Sequence, residues 1–492
     1  MATITKNCTD LFIDGRWHTP QFGVEDVINP ATEAAIGSAP LGGPQDCEAA
    51  INAARRAFDS GAWSELARSQ RVATLRKLFD KLLACREEVL ELSVAEMGYT
   101  QAQAPFQFHM AMAHFEKYLE VALRDPITPL PMLITPQANG THLLGSAIKV
   151  REPIGVVAAI TPYNAGFLLG LVKSVPALAA GNTVVLKPSP YTPLQSLLLA
   201  RHIAELDLPA GVFNLVTGGN EVGEMLGTDP RVDMVSFTGS DAIGRKVMAQ
   251  AAPTLKKVHL ELGGKSALIV RHDADLEIAM QAALFGFVFQ AGQGCSMTTR
   301  MLVDNRIRGA FVEQLGDITR KLVVGDPAAA TTDMGPLIRD VAVARSERFV
   351  EAALQDGATL VCGGQRPAHL QRGFFFEPTV FDNVSNDSML AQQEVFGPIA
   401  AVVGFDSDAE AIALANASNY GLGGGIVSRD AGTAMQMALR VRTGMVMINN
   451  GPGDVHPDMP FGGFKQSGLG REWGEDGYYE FTELKSIGFN AG

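Results

Sequence analysis

The stretch IGVVAAITPYN, residues 154–164, decides the fold class of this chain. Its apolar run ends at a Thr-Pro turn, which is typical of a strand buried on both faces. The same pattern recurs, with helical stretches between, in NTVVLKPS at 182–189, GVFNLVTG at 211–218 and VDMVSFTGS at 232–240. Strands that alternate with helices predict a parallel α/β sheet.

The alternation continues beyond residue 261, through KSALIV, TTRMLVDN and two helical stretches, DLEIAMQAALFGFVFQAG and RIRGAFVEQLGDITRKL. A second α/β domain is therefore predicted. Two short alternating segments, THLLGSAIKVRE and TELKSIGFN, lie at the edges of this pattern. We predict that these segments pair as strands in an arm, between subunits of an oligomer.

Composition and charge exclude several classes of protein. A chain of 492 residues with 47% hydrophobic residues has room for two or more domains. The net charge of -13 argues against a nucleic-acid partner, because such binding neutralises phosphates with Lys and Arg. The first residues carry no basic region followed by an apolar core, which predicts a cytoplasmic location. The uncharged run 154–172 is broken by a turn and glycines, so no membrane span is predicted.

The cysteines point to chemistry at one position only. They stand at 8, 47, 85, 295 and 362 without a CxxC pair, which argues against a disulfide framework and a zinc site. A lone cysteine is more often a buried hydrophobe than a nucleophile. Cys295 differs from the others because Gly292 and Gly294 bring the backbone close to its thiol and leave room for a ligand. No metal-binding, serine-hydrolase or P-loop signature occurs in the sequence.

Other candidate positions are weaker when they are read alone. Glu261 is flanked by Leu260 and Leu262, so burial would raise its pKa toward that of a general base. Lys187 ends a predicted strand, where open α/β sheets bind their ligands. The turn FTGSDAIG, at 237–244, joins a strand to a helix whose N-terminus can bind phosphate. A capping serine or a solvated lysine would give the same patterns.

Taken in order along the chain, these pieces resemble the aldehyde dehydrogenase superfamily from about Ile13 to the C-terminus. The matching motifs are INPATEAAIG, TPYN (161–164), KPSP (187–190), FTGS (237–240), LELGGKS (260–266), GQGC (292–295), EVFGP (394–398) and PFGGFKQSGLGRE (460–472). The resemblance implies two Rossmann-like α/β domains and a small β arm for oligomerisation. It places the dinucleotide-binding domain at 1–126 and 150–261, the catalytic domain at 262–460 and the arm at 127–149 and 476–492.

The resemblance also implies the catalytic residues. Cys295 would add to the aldehyde carbon, and Asn164 with the backbone N–H of Cys295 would hold the oxyanion. After hydride transfer, Glu261 would activate the water that hydrolyses the thioester. Lys173 would be a supporting electrostatic residue near Asn164.

The expected cofactor is NAD, held along the ends of the parallel strands. NADP use stays open, because Pro190 stands where many NAD-preferring members have a glutamate that binds the adenosine ribose. The residues expected at the cofactor are Ile160, Thr161, Pro162, Lys187, Pro188, Ser189, Pro190, Gly219, Gly223, Phe237, Thr238, Gly239, Ser240, Leu262, Gly263, Glu394 and Phe396.

The substrate entrance departs from the family pattern, because TPYNAG replaces the common TPWNFP and Gln290 replaces an asparagine. Lost aromatic volume predicts a wide apolar tunnel for a bulky hydrophobic or aromatic aldehyde. The residues expected at the substrate are Tyr163, Ala165, Leu169, Phe289, Gln290 and Phe461. The resemblance implies a homodimer or homotetramer. The alternatives are a CoA-acylating aldehyde dehydrogenase, a thioesterase-like hydrolase and a binding protein without activity.

Overall fold

The computed structural model describes residues 8–453 and 455–490. The strands of these residues are β1 (Leu11–Ile13), β2 (Arg16–His18), β3 (Val24–Ile28), β4 (Ala35–Pro40), β5 (Ile127–Pro129), β6 (Leu133–Pro136), β7 (His142–Pro153), β8 (Val156–Ile160), β9 (Thr183–Lys187), β10 (Phe213–Leu215), β11 (Met234–Thr238), β12 (Lys257–Glu261), β13 (Ala267–Val270), β14 (Arg300–Asp304), β15 (Thr359–Cys362), β16 (Thr379–Asp382), β17 (Ile399–Phe405), β18 (Tyr420–Gly421), β19 (Gly424–Val427), β20 (Met447–Ile448), β21 (Phe464–Lys465), β22 (Gly468–Leu469) and β23 (Thr482–Asn490).

The α-helices of the same residues are α1 (Pro44–Asp59), α2 (Arg68–Ala84), α3 (Arg86–Met97), α4 (Ala104–Ala122), α5 (Gly166–Ala180), α6 (Leu194–Ala204), α7 (Asn220–Thr228), α8 (Asp241–Ala251), α9 (Leu276–Val288), α10 (Asn305–Thr319), α11 (Asp340–Gln355), α12 (Met389–Gln392), α13 (Asp408–Asn416), α14 (Ala431–Ala438) and α15 (Gly474–Tyr479). Short 3-10 turns follow α8 and α9, at Ala252–Thr254 and Phe289–Gly292.

Two sheets organise the described residues. The first has the order β2-β1-β10-β9-β8-β11-β12-β22, and its five central strands are parallel. The second has the order β15-β16-β17-β14-β13-β19-β20, with β15 antiparallel to β16. This arrangement confirms the predicted α/β class, with two sheets whose central strands are parallel and whose edges include antiparallel strands.

Burial explains why the apolar runs form the centre of each sheet. Every residue of β8, β9 and β11 is buried. Helices α2, α4, α5 and α6 supply the core on one face of the first sheet, and α1 and α8 contribute to a separate core on the other face. Runs without polar alternation are what such a doubly covered parallel sheet requires. A further core surrounds the second sheet.

The two edge segments pair as predicted. Strand β23 runs antiparallel to β7 from Thr482 against Pro153 to Asn490 against Gly145. Strands β5 and β6 pair with β7 as well, which makes a small separate sheet. This arm is largely exposed, with apolar side chains on its surface that include Leu133, Ile134, Leu144, Leu484 and Phe489.

One helix ends earlier than the sequence predicts. The apolar stretch through residue 292 predicts a continuous helix, but α9 ends at Val288. Gln290, Ala291 and Gly292 then have φ angles of 52°, 51° and 70°. Three successive left-handed residues reverse the chain direction, which right-handed helical periodicity does not anticipate.

Candidate active site

The loop that carries Cys295 is held by close backbone packing. A side chain at Gly292 would overlap the carbonyl of Gly397, and a side chain at Gly294 would overlap Met297. A side chain at Gly264 would overlap the carbonyl oxygen of Cys295 itself. The glycines therefore allow protein backbone to approach. This corrects the expectation that Gly292 and Gly294 leave free space for a ligand.

The thiol of Cys295 is a weak acid in this environment. Residue 295 is half-buried. Withdrawal from water raises the pKa of the Cys295 thiol above its ordinary value, and the nearby carboxylates of Glu394 and Glu261 raise it further. The resting group is thus the neutral thiol. A base or a favourable electrostatic partner is required to form the thiolate.

Asn164 lies beside the Cys295 loop and is fixed at both its side chain and its backbone. Its Nδ2 donates to the carbonyl of Gln293 at 2.9 Å. Its own carbonyl oxygen accepts from Gln290 Nε2 and lies 2.9 Å from the Tyr99 hydroxyl. One N–H of the Asn164 amide thus holds the loop, and the same group has a second N–H to donate.

Gln290 supports Asn164 from behind. Tyr99 lies 2.6 Å from Gln290 Oε1 and accepts from Gln107 Nε2 at 2.6 Å. Gln290 is only 5% exposed, so its amide is committed to this buried network. We expected Gln290 at the substrate entrance; the structure places it in the wall behind Asn164.

A buried charged cluster lies beneath the end of the first sheet. Lys173 Nζ donates to Glu472 Oε1 at 2.6 Å and to Ser236 Oγ at 3.1 Å. Glu261 is 1% exposed, and His259 Nε2 lies 3.4 Å from its Oε1. Burial raises the pKa of Glu261 well above its usual range, and Glu472 adds to this while Lys173 opposes it. Glu261 therefore has the environment of a strong base rather than of a surface carboxylate.

The sheet edge explains how these residues meet. Strand β22 pairs with β12, so that Leu469 faces Leu260 and Gly468 faces Glu261. This pairing brings the segment after β22, including Glu472, over the end of the parallel strands. Glu472 exchanges backbone hydrogen bonds with Phe461 in the same region.

The expected cofactor residues lie along one edge of the first sheet, because carboxyl ends of parallel strands share an edge. Ile160 is opposite Lys187 in register and Phe237 is opposite Ile160. The remaining positions follow the same strands or begin the adjoining helices: Thr161, Pro162, Pro188, Ser189, Pro190, Gly219, Gly223, Thr238, Gly239, Ser240, Leu262 and Gly263.

This edge has the features that a dinucleotide requires. The hydroxyls of Thr161 and Thr238 are buried without a hydrogen-bond partner among the described residues. Ser240 caps α8 through the N–H of Ile243, so the positive end of that helix faces the edge. Burial lowers the pKa of Lys187 to about 8. Unpaired donors, a helix N-terminus and a buried amine together fit a nucleotide with ribose hydroxyls and phosphates.

Glu394 and Phe396 reach the same edge from the other half of the molecule. Glu394 Oε1 accepts from the N–H of Gly264 at 3.0 Å, and a side chain at Gly263 would overlap its Oε2. Burial raises the pKa of Glu394 to about 7. Phe396 has a left-handed φ of 53°, and its ring meets the edge of Tyr163 at 5.9 Å between centroids. The structure thus places Tyr163 against a predicted cofactor residue.

Four aromatic side chains cluster beside the Cys295 loop. Phe289 contacts Tyr99, Phe106 and Phe285, with ring centroids 4.8 to 6.0 Å apart. Phe106 and Phe285 are 39% and 50% exposed. This aromatic cluster, defined by Tyr99, Phe106, Phe285 and Phe289, forms an apolar surface that reaches from solvent to the tyrosine behind Asn164.

The other expected substrate residues are more enclosed. Ala165 is buried in the core of the first sheet, and Leu169 is partly buried against the same core. Phe461 is 6% exposed and packs on Trp473 with centroids 4.5 Å apart. Of the expected set, Phe289 belongs to the partly exposed aromatic cluster, and Tyr163 lies 6.2 Å between ring centroids from Tyr191, which is 37% exposed.

Our reading of the sequence missed five residues of the site: Tyr99, Gln107, Ser236, His259 and Glu472. His259 was detectable, because side chains two apart on a strand share a face and His259 precedes Glu261 by two. Glu472 closes the quoted motif PFGGFKQSGLGRE. Tyr99, which follows α3, and Gln107, which lies in α4, come before the parallel strands and carry no local signal.

Comparison with known proteins now identifies the family. A model described as the aldehyde dehydrogenase family matches residues 17–487. The chain belongs to the aldehyde dehydrogenase family. The enzyme class and the fold that the motifs predicted are thereby confirmed.

This aldehyde dehydrogenase is 40% identical to a betaine aldehyde dehydrogenase of Bacillus subtilis (strain 168), over 97% of this chain and 96% of that protein. It is also 40% identical to a 3-succinoylsemialdehyde-pyridine dehydrogenase of Pseudomonas sp, over 98% of each. A solved betaine aldehyde dehydrogenase from Staphylococcus aureus, in complex with NAD+, has a TM-score of 0.94 and 37% identity, over 99% of this chain and 96% of that one. That NAD+ complex agrees with the predicted cofactor. In the part of the aldehyde dehydrogenase that the structure describes, no helix has the length and apolar character to cross a membrane.

Proposed function

We propose that the protein oxidises an aldehyde to the carboxylic acid with NAD+, through a covalent intermediate on Cys295. The observation that carries the proposal is the meeting of three groups at one place. A half-buried thiol, a fixed amide donor and a buried carboxylate come from three separate segments of the chain. Acyl transfer through a thiol needs these three: a nucleophile, an oxyanion donor and a base.

The first step is addition of the Cys295 sulfur to the carbonyl carbon. The C–S bond forms, the carbonyl oxygen becomes an oxyanion, and the thiol proton passes to a base such as Glu261. The second N–H of Asn164 and the backbone N–H of Cys295 stabilise the oxyanion. Because Tyr99 and Gln290 fix the Asn164 backbone, this donor is in place before charge develops.

Hydrolysis of the thioester then returns the enzyme to its resting state. After the thiol proton has passed from Glu261 to solvent, Glu261 accepts a proton from water as the oxygen attacks the acyl carbon. The C–S bond then breaks to release the acid, and the Cys295 sulfur takes a proton back. The raised pKa of Glu261 strengthens this carboxylate as a proton acceptor. Lys173 lies nearby and its positive charge limits this rise, while Glu472, its ion-pair partner, adds to the rise.

NAD+ would lie along the strand edge, with Lys187 and the α8 N-terminus at its adenosine and phosphate parts and Glu394 and Phe396 at its nicotinamide part. When it is bound, its nicotinamide ring accepts the hydride. Pro190 supplies no carboxylate to bind the adenosine ribose hydroxyls, so NAD+ and NADP+ must be assayed side by side.

For the substrate we propose an aldehyde with a hydrophobic or aromatic body. The support is the aromatic cluster, whose exposed rings lead toward Asn164. Aromatic faces also attract quaternary and primary ammonium groups. The similarity to betaine aldehyde dehydrogenases therefore makes cationic aldehydes the second candidate.

A substrate panel tests both parts of this proposal. The kcat/KM of NADH formation is measured with benzaldehyde, a long-chain aldehyde, acetaldehyde, betaine aldehyde and 4-aminobutyraldehyde, each with NAD+ and NADP+. Benzaldehyde or the long-chain aldehyde should exceed acetaldehyde by at least tenfold. A higher value for betaine aldehyde would select the cationic class. Acceleration by added CoA would favour the acylating alternative.

We also propose that the arm, residues 127–149 and 476–492, joins subunits into a dimer or tetramer. The apolar side chains on its surface support this, because exposed patches of that kind mark association sites. We further propose that residues 1–126 and 150–261 bind the dinucleotide and that residues 262–460 form the catalytic domain. A cytoplasmic location is also proposed. Light scattering of the purified chain measures its subunit count, and a monomer would exclude this role of the arm.

A further inference from the structure

The base Glu261 has an immediate neighbour that the proposed reaction has not used. His259 is on the same face of β12, is fully buried and places Nε2 at 3.4 Å from Glu261 Oε1. Within the described residues, neither of these two atoms has a hydrogen-bond partner that meets the usual geometry. Each of these atoms thus has the other as a neighbour at 3.4 Å.

The other side of the His259 ring is fixed. Ser236, its register partner on β11, lies 3.1 Å from Nδ1 through its Oγ. The backbone at Gly470 packs against the ring so closely that a side chain there would overlap it. The imidazole is thus held between two strands and the segment that follows β22, with no room to turn away from Glu261.

The chain of donors determines which ring nitrogen carries hydrogen. Lys173 Nζ can only donate, so Ser236 Oγ accepts from it at 3.1 Å and directs its own proton to His259 Nδ1. A neutral imidazole has one N–H, and Nδ1 is the acceptor here. The hydrogen is therefore on Nε2, the ring nitrogen that lies 3.4 Å from Glu261 Oε1.

The charges around the ring keep it neutral. Burial lowers the pKa of His259 well below its usual value, and nearby cations lower it further. The titratable and charged groups that face this site from the packed elements are Lys173, Lys257, Glu261, Arg471, Glu472 and Glu480.

We infer that His259 is a positioning residue for the base: its Nε2–H, oriented through Ser236 by Lys173, holds the Glu261 carboxylate in its ionised form and in place for water activation. The inference rests on the proposed function. It follows from general chemistry, since a hydrogen bond to the charged form of an acid lowers its pKa. Without this donor the pKa of Glu261 would rise further, and hydrolysis at neutral pH would slow.

The test is the pH profile of kcat at saturating NAD+ and aldehyde. In His259→Leu the ascending limb of this profile should shift to higher pH by about one unit, so that kcat at pH 7 falls about tenfold. In His259→Gln the limb should stay near that of the wild type, because the glutamine Nε2 can occupy the position of the imidazole donor. A stoichiometric NADH burst should appear in His259→Leu only, because hydrolysis becomes rate-limiting.

Ser236→Ala provides a second variant if His259→Leu does not fold. It removes the group that orients the imidazole, and it should move the limb in the same direction by a smaller amount. The KM for NAD+ should not change in any variant. The inference would be overturned if Ser236→Ala and folded His259→Leu both kept the ascending limb of the wild-type pH profile of kcat. A His259→Gln variant that behaves like His259→Leu would also overturn it.

The wild-type protein separates this inference from the function on which it rests. If it forms no NADH from any aldehyde between pH 6 and 10, the proposed function fails. If it forms NADH and acid while the variants keep the wild-type limb and show no burst, only the role of His259 fails.

Discussion

The buried pair of Lys173 and Glu472 makes the sharpest prediction about stability. The two side chains are 0% and 1% exposed and their charged atoms are 2.6 Å apart. Lys173→Met leaves the Glu472 carboxylate buried without its cation, which costs about 3–5 kcal/mol. The entropy of unfolding is about 2 cal/mol/K per residue, so if the whole chain unfolds as one unit the Tm should fall by about 3–5 °C.

Scanning calorimetry of four proteins provides the assay. The wild type and Lys173→Met are compared with the double variant Lys173→Met/Glu472→Leu, which removes both charges and should recover most of the loss. The matched control is Lys485→Met, whose pair with Glu152 has the same 2.6 Å separation but is 53% and 43% exposed. The control should cost less than about 1 kcal/mol. A Tm for Lys173→Met within 1 °C of the wild type, or a double variant less stable than the single one, would refute the reasoning.

Three further predictions concern the Cys295 loop and the cofactor edge. Gly292→Ala places a side chain on a residue with a φ of 70° and against the backbone of Gly397. The free energy of unfolding should fall by at least about 1–3 kcal/mol, and the Tm with it. Unchanged Tm and activity would contradict this packing. Tyr99→Phe removes a hydrogen bond near Asn164 worth about 1 kcal/mol, so kcat should fall roughly fivefold with KM for NAD+ unchanged; a change in KM alone would count against it. Because the pKa of the Cys295 thiol is raised, the reactive thiolate forms only at high pH. The rate of inactivation by iodoacetamide should therefore still increase above pH 9. A rate that reaches a plateau below pH 8 would contradict this prediction.

The sequence predicts the sheet well, because parallel strands that are buried on both faces appear as uninterrupted apolar runs. Strands β8, β9 and β11 lie where those runs are. The ends of such strands share an edge, and Lys187 and the FTGS turn both lie along it. The motifs around Glu261 and Cys295 identified the family directly.

Contacts between distant segments were beyond this kind of reasoning. Glu472 meets Lys173 because β22 adds to the sheet edge beside Glu261, and two-residue strands have no recognisable periodicity. The left-handed turn at Gln290 depends on packing against residues near 397, not on local propensity. The role of Gln290 behind Asn164 changed for the same reason, since only the fold brings Tyr99 to it.

The most direct test of the central claim is the intact mass of a Glu261→Gln variant after incubation with NAD+ and a reactive aldehyde. Loss of the base should stop hydrolysis and leave an acyl group on the protein, with one NADH formed per subunit. Peptide mapping should place the acyl group on Cys295, and Cys295→Ala should show neither adduct nor NADH. An unmodified Glu261→Gln protein that turns over at the wild-type rate, or an adduct on another residue, would contradict the mechanism.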